Sequence, residues 1–444
     1  MQNKTQLSPS PQLRIIDAVA IIIGIVIGAG IFRTPTIVAA NSSSGLSFMA
    51  AWLIGGLVTL IGALCYAELS TTYPNTGGDY YFLKRSYGNK VAFLFAWARM
   101  SVIQTGSISL LSFIAADYLV EIYSLGPYSS PIYAATIVLV LTFINILGIQ
   151  FGTTAQKTLT LLEVLGILTI IFTGLFHDSS ADIGLQALKE KKDSGSMGLA
   201  LVFVLLTYGG WNEAAYISAE LRSGKRKMAA ILVWSILIII STYLLTNFAY
   251  LKILGLNGIM ETEAVGASIM QIAYGKAGSI TISLLIVVSS LTSANATIFT
   301  GARSNYALGR DYKSFQLLGS WNQKTSSPIN ALLVQGLIAL TLVGIGTFTR
   351  SGFETIVDYT APVFWFFFLL TGLSVFILRK KDPYRKRLFK VPAYPLLPAI
   401  FCLSSAYLLY SSLAYARLGS FLSVAVLLMG LLLLLRLKPE KEAI

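Results

Sequence analysis

Stretches of roughly 20 mainly apolar residues, the length a helix needs to cross the hydrocarbon core of a bilayer, recur about twelve times along this 444-residue chain. They run near 15–40, 48–71, 91–120, 131–148, 158–176, 198–219, 228–251, 279–308, 328–347, 355–378, 393–413 and 419–437. A backbone in lipid must satisfy its own hydrogen bonds, so such runs predict helices. Only 12% of the residues are charged, about half the share in soluble domains. The expected fold class is therefore an all-α membrane protein with about 12 transmembrane helices. A shorter amphipathic piece, 263–274, is expected as a surface helix capping the outside.

The net charge of +13 is first a topology signal. About 24 of the 33 lysines and arginines fall in the termini and one alternating set of loops, including 84–90, 222–227, 303–324 and 379–390; seven fall in the opposite loops. The positive-inside rule then puts both termini in the cytoplasm, in agreement with an even span count. A nucleic-acid partner is not expected. The apolar run after Arg14 is too long for a cleavable signal peptide. One histidine, His177, and two cysteines, Cys65 and Cys402, argue against metal clusters, zinc hydrolysis and disulfide scaffolds. No cofactor is implied, and the chain is not read as an enzyme.

Two spans carry glycines in mid-membrane: Gly24-Ile25-Val26-Ile27-Gly28-Ala29-Gly30-Ile31-Phe32 in span one, and Thr207-Tyr208-Gly209-Gly210-Trp211-Asn212 in span six. Each interior glycine costs a helix about 1 kcal/mol relative to alanine, and unwound backbone at that depth is tolerated where it lines a cavity. Gly-interrupted spans at matching places in two halves point to a transporter binding site. Five spans separate the two breaks, an odd number, so the second unit is inverted. The organisation expected is residues 1–177 as a first five-helix repeat, 178–380 as its inverted partner, and 381–444 as two additional helices. The N–H groups after Gly30 suit a carboxylate. Carbonyls freed near 206–209 suit an ammonium group, so the pair would hold the ends of an α-amino acid. Close helix packing on small residues is the competing explanation. A dinucleotide motif is excluded at Gly28-Ala29-Gly30, which lacks the preceding strand and the third glycine.

These residues resemble the amino acid–polyamine–organocation superfamily, and within it the L-type amino acid transporters. The resemblance rests on Gly28-Ala29-Gly30-Ile31-Phe32, on Ala63-Leu64-Cys65-Tyr66-Ala67-Glu68-Leu69 followed by Gly77-Gly78-Asp79-Tyr80, on Tyr208-Gly209-Gly210-Trp211-Asn212, and on Phe389-Lys390-Val391-Pro392 with Tyr394, Pro395 and Pro398. It implies the five-plus-five inverted repeat of the leucine-transporter type plus two C-terminal helices, and amino acid transport by alternating access, usually without sodium. It further implies that Ala29, Gly30 and Ile31 offer N–H groups to the substrate carboxylate. Leu206, Gly209, Gly210 and Trp211 would frame the amine and side-chain pocket, Asn212 would hydrogen-bond beside the broken helix, and Asn295 would match a span-eight pattern.

The departures are as informative. Leu206 stands where the family often has an aromatic gate. The loop near 121–130 has no cysteine, so no disulfide-linked heavy chain is expected. The family's proline after span six is missing from 222–227. Several sodium-independent relatives carry a lysine in span five where this chain has Glu163, with Lys157 nearer the cytoplasmic end. An intramembrane carboxylate is costly and functional by default. Proton binding, an ion pair with Lys157 or another base, and a cation ligand are the readings of Glu163. Glu68 and Asp79 read as fold or gate contacts, and Asp17 as a partner of inner basic groups. Glu213 reads as an ion-paired or solvated group, or as one facing a cationic substrate. Arg99 and Gln104 could line the cavity, with Arg99 the better candidate for a buried pair. Tyr216, Trp211, Tyr359 and Trp365 could be gates or packing.

The function expected is a secondary active transporter for amino acids, working by sodium-independent exchange or proton-coupled uptake in a bacterial inner membrane. A polyamine or organic-cation transporter and an amino acid sensor on the same fold are the alternatives. An acidic pocket residue would favour the former and a long soluble terminus the latter.

Overall fold

The computed structural model describes residues 15–28, 30–75, 77–147, 153–176, 196–217, 227–262, 264–322, 325, 327–348, 352–414 and 418–436. Among these the chain is all-helical, apart from one isolated bridge between Asn322 and Ser327. Eight helical runs are long and apolar enough to cross a membrane. The first expected span is divided into α1 (Ile15–Val26) and α2 (Gly30–Ala40). α3 (Gly45–Thr72) follows a capping box: the Ser44 hydroxyl accepts the Ser47 N–H at 3.1 Å, and Ser47 Oγ accepts the Ser44 N–H at 2.9 Å. That reciprocal bond satisfies donors the first turn leaves open.

A short helix, α4 (Gly78–Tyr87), leads into the third span. This span is built from α5 (Asn89–Ala98), a π-helical turn over Arg99–Ile103, and α6 (Gln104–Ile122). Then come α7 (Ser129–Ile146), α8 (Thr153–Phe176), α9 (Met197–Thr207), a 3-10 turn over Trp211–Glu213, and α10 (Ala214–Ile217). The remaining helices are α11 (Met228–Glu261), α12 (Val265–Asp311), α13 (Ile329–Thr347), α14 (Gly352–Lys381), α15 (Leu396–Ala414) and α16 (Leu418–Arg436). α11 and α12 each turn a corner at a glycine with positive φ, Gly255 at 66° and Gly275 at 65°, a conformation most open to glycine.

The short amphipathic piece expected at 263–274 falls on the first arm of α12, a helix from Val265 to the corner at Gly275. Val265, Ala267, Ile269 and Met270 are buried, and a Cβ on Gly266 would lie 3.2 Å from Phe32. Its apolar face is covered by protein, leaving Ile272 and Tyr274 outside.

Two apolar cores organise the bundle. The first gathers α1, α2, α3, α9 and α11 around Trp52, Tyr208 and Tyr243. The second gathers α5, α6, α7 and α13 with Ala294, Ile298 and Ala302 of α12 and Phe367 of α14. Large apolar side chains left outside, such as Leu53 and Leu57 on α3 and Leu139 and Phe143 on α7, form the lipid-facing coat that a spanning helix requires. Small residues bring helices together where lipid gives no hydrophobic drive; a Cβ on Gly336 would lie only 3.0 Å from Thr142.

One end of the bundle is rich in lysine and arginine and is held by charged contacts. Glu68 of α3 receives Arg379 Nε at 2.7 Å and the Val391 N–H at 2.7 Å, with Arg387 at 3.4 Å. Asp382 accepts Arg85 Nη2 and the Tyr73 hydroxyl, both at 2.8 Å. His177 and the residues after it to 195 lie outside the described residues.

Candidate functional site

The two glycine-rich segments break their helices and meet. After α1 the chain turns, with the Ile27 N–H bonded to Ile23 O at 2.7 Å and the Gly28 N–H to Val26 O at 2.8 Å. α2 restarts at Gly30 with a first turn whose N–H groups lack intrahelical acceptors. α9 stops at Thr207. The Gly209 N–H closes a tight turn on Leu206 O at 3.0 Å, and Gly210 adopts φ 100° before the 3-10 turn. A Cβ on Gly30 would lie 3.2 Å from Thr207 Cγ2, and one on Gly210 would lie 2.7 Å from Ile25 Cγ2. Both breaks therefore pack against each other at glycines.

Two hydroxyl contacts fasten this junction. Thr207 donates to Phe203 O at 2.9 Å, and its oxygen lies 2.7 Å from Thr34 Oγ1. A hydroxyl carries one proton, so Thr207 donates to Thr34 Oγ1 or to Phe203 O, one at a time. The buried Tyr243 hydroxyl of α11 donates to Val26 O at 2.6 Å, with Thr207 O 3.3 Å from the same oxygen. Both carbonyls belong to helix ends that the breaks leave open, one from each segment. Sequence reasoning did not single out Tyr243, Thr34 or Thr207. The available signal was polar side chains at mid-span beside the two breaks.

The expected site residues distribute as follows. Gly28, Gly30, Leu206, Gly209 and Gly210 lie in the two abutting segments; a Cβ on Gly28 would be 3.7 Å from Ser293 Oγ of α12. Ala29 lies outside the described residues. Ile31 is fully buried in the first core and Leu206 is half-buried. Trp211 points into an aromatic cluster, 4.9 Å from the Tyr66 ring and 5.6 Å from Phe368. Asn212 borders a small pocket nearer the basic end, with Tyr66, Asp79, Arg99 and Thr371. Asn295 of α12 accepts Asn145 Nδ2 of α7 at 2.7 Å through its Oδ1.

Glu163 projects from α8 into the protein and is buried. It accepts a hydrogen bond from Ser289 Oγ of α12, and Ser293 follows one turn later on the same helix. Lys157 is within α8, but its side chain is outside the described residues, as are those of Asp17 and Tyr216.

Charged contacts flank the junction on both sides. Toward one end, Arg33 Nε of α2 lies 3.7 Å from Asp117 of α6, the Tyr118 hydroxyl donates to Phe32 O at 3.1 Å, and Thr36 Oγ1 donates to Thr262 O at 2.6 Å. Toward the basic end, Arg99 Nη2 lies 3.0 and 3.1 Å from the two Glu213 oxygens. Gln104 of α6 donates to Thr300 Oγ1 at 3.1 Å, and the Tyr359 hydroxyl to Ser101 O at 2.7 Å. In the loop after α14, the Tyr73 hydroxyl and then Arg85 hold the Asp382 carboxyl below the usual carboxylate range.

Two broken helices that meet within a bundle of apolar, membrane-length helices are the arrangement expected of a membrane carrier. The family profile described as amino acid permease matches residues 13–433, and the chain belongs to this family. It is 27% identical to the serine/threonine exchanger SteT of Bacillus subtilis over 435 residues, covering 97% of this chain and 98% of that protein. It is also 27% identical to the human b(0,+)-type amino acid transporter 1 over 439 residues, 97% of this chain and 88% of the relative. With mouse large neutral amino acids transporter small subunit 2 it shares 27% over 431 residues, 94% and 79%.

Proposed function

We infer that this protein is a secondary transporter that carries α-amino acids through the junction of its two broken helices by alternating access. The observation that carries this reading is the contact of Gly30 and Thr207, which brings the start of one half-helix against the end of another. Helix-start N–H groups attract the carboxylate and helix-end carbonyls attract the ammonium group. In this reading the fold is the twelve-span, five-plus-five inverted repeat with two further helices. Residues 1–177 and 178–380 form the repeats and 381–444 the additional pair. The basic end faces the cytoplasm of a bacterial cell, and no heavy chain is disulfide-linked near 121–130. Gly28, Ala29, Gly30, Ile31, Leu206, Gly209 and Gly210 hold the substrate, and Trp211 and Asn212 close the pocket beneath it. The relatives named as exchangers and as neutral amino acid transporters favour sodium-independent exchange of neutral amino acids, with Glu163 as the group through which a proton gradient acts.

A polyamine carrier needs an acidic side chain facing the pocket. Glu213, the candidate for that role, is engaged by Arg99, which weighs against cationic substrates.

Counterflow into proteoliposomes tests the function with each radiolabelled amino acid in turn, with and without pH and sodium gradients. Accumulation of one or more neutral amino acids, indifferent to sodium, is the expected result. Uptake of none would overturn the reading.

A further inference from the structure

We propose that Arg99 and Glu213, with Asp79 beside them, form a charged gate that closes the substrate path at the basic end and parts each time the site opens to that side. The inference rests on the alternating-access reading above.

Position is the first argument. Arg99 begins the π-helical turn that interrupts the third span; such turns frequently mark functional places. Around it, Phe95, Ala98 and Val102 belong to the second apolar core. Glu213 ends the 3-10 turn that follows the span-six break, and its neighbours Trp211 and Ala214 belong to the first core. The ion pair therefore links a residue flanked by the second core to one flanked by the first, two cores that α6, α12 and α14 share. The guanidinium also anchors to α12, with Nε 3.3 Å from Ser304 Oγ.

The surroundings are the second argument. A small pocket borders the pair on the side of Asn212, Asp79, Tyr66 and Thr371. Asp79, only 2% exposed, opens α4 and lies 3.5 Å from Thr371 Oγ1. Asp79 and the Arg99 guanidinium thus line one pocket with Tyr66 and Phe368, beside the Arg99–Glu213 pair. An arrangement of this kind switches with hydration. With the Arg99 side chain 5% exposed and that of Glu213 21%, the charges attract more strongly than they would in bulk water. Once the two residues separate and water enters, both charges are solvated and little is lost by parting them. A purely apolar contact would instead expose its surface to water on opening. The pair is firm when shut and easily released when wet, which is what a gate requires and a permanent brace does not.

Accessibility tests the proposal without reference to any substrate. Thr371→Cys places a thiol in the pocket behind the pair, in a background of Cys65→Ala and Cys402→Ala. An impermeant maleimide then reports opening in proteoliposomes. Tyr384→Cys, in a loop at the basic end where Tyr384 is 99% exposed, reports the fraction of molecules presenting that end to the reagent. Glu213→Gln keeps the side-chain shape and is expected to raise the labelling rate of Thr371→Cys about tenfold, the factor corresponding to loss of a charge-assisted contact. Unchanged labelling in folded Glu213→Gln protein would overturn the gate. Should Glu213→Gln fail to give a monodisperse protein, Arg99→Lys decides, with raised labelling supporting the gate and the parent rate overturning it. Labelling is read with no amino acid present, so a failed counterflow assay sinks the transport reading separately from the gate.

Discussion

The backbone at Gly210 shows how single residues set the site. Its φ of 100° lies in the region that costs a residue with a Cβ about 1–2 kcal/mol. A Cβ there would also approach Ile25 Cγ2 to 2.7 Å, closer than van der Waals contact allows. Gly210→Ala is therefore expected to push the two broken helices apart, abolishing counterflow and lowering the melting temperature in detergent. Gly344→Ala, at a position where a Cβ would meet nothing within 4 Å, is the control and should leave both unchanged. The glycines themselves were legible because glycine clusters stand out within apolar spans. Tyr243 was not, since nothing local distinguishes a tyrosine that packs from one that donates to Val26 O across 217 positions of sequence. Asn295 illustrates the reverse: its motif is local, but its partner Asn145 comes from another helix.

At the scale of elements, the basic end is tied by contacts between segments far apart in the chain. α3 reaches the loop after α14 through Tyr73 and Asp382, and α4 reaches the same carboxylate through Arg85. The tyrosine hydrogen bond, followed by the arginine, lowers the folded-state pKa of Asp382. A carboxylate so lowered adds stability above its unfolded-state pKa and loses it as pH falls through the folded value. Acid should therefore loosen this clamp below the ordinary carboxylate range, and Asp382→Asn should flatten that limb of the melting-temperature profile while lowering its plateau at neutral pH. An acid limb identical in the variant and the parent would rule the clamp out. The eight long apolar helical runs were legible because length and hydropathy decide them, and the breaks after α1 and α9 because glycine marks them. The π-helical turn at Arg99 was not, as a shifted hydrogen-bond register leaves no residue signature. The first arm of α12 was legible as a short amphipathic helix. Periodicity identifies its apolar face, but not that Phe32 and Ile286 cover it.

At the scale of the whole molecule, the seam between the two cores gives Glu163 its interest. α8 packs into the first core through Ile167 and Ile170, while α12 reaches from that core into the second through Ala294 and Ile298. The hydrogen bond from Ser289 to Glu163 joins the two helices one turn from Ser293, which borders the span-one break at Gly28. A proton added to or removed from this carboxyl changes a contact on a helix shared by both cores, beside the proposed substrate site. Protonation changes both the charge of this carboxyl and the hydrogen bonds it can make to Ser289. Glu163→Gln retains an oxygen that can accept the Ser289 proton and removes only the titration. It is expected to sustain counterflow of the same amino acids while net uptake loses its stimulation by an inward proton gradient. Glu163→Ala, which also removes the acceptor, should impair both. Full stimulation of Glu163→Gln by the gradient would exclude the carboxyl as the coupling group and leave Glu163 as a structural link between α8 and α12.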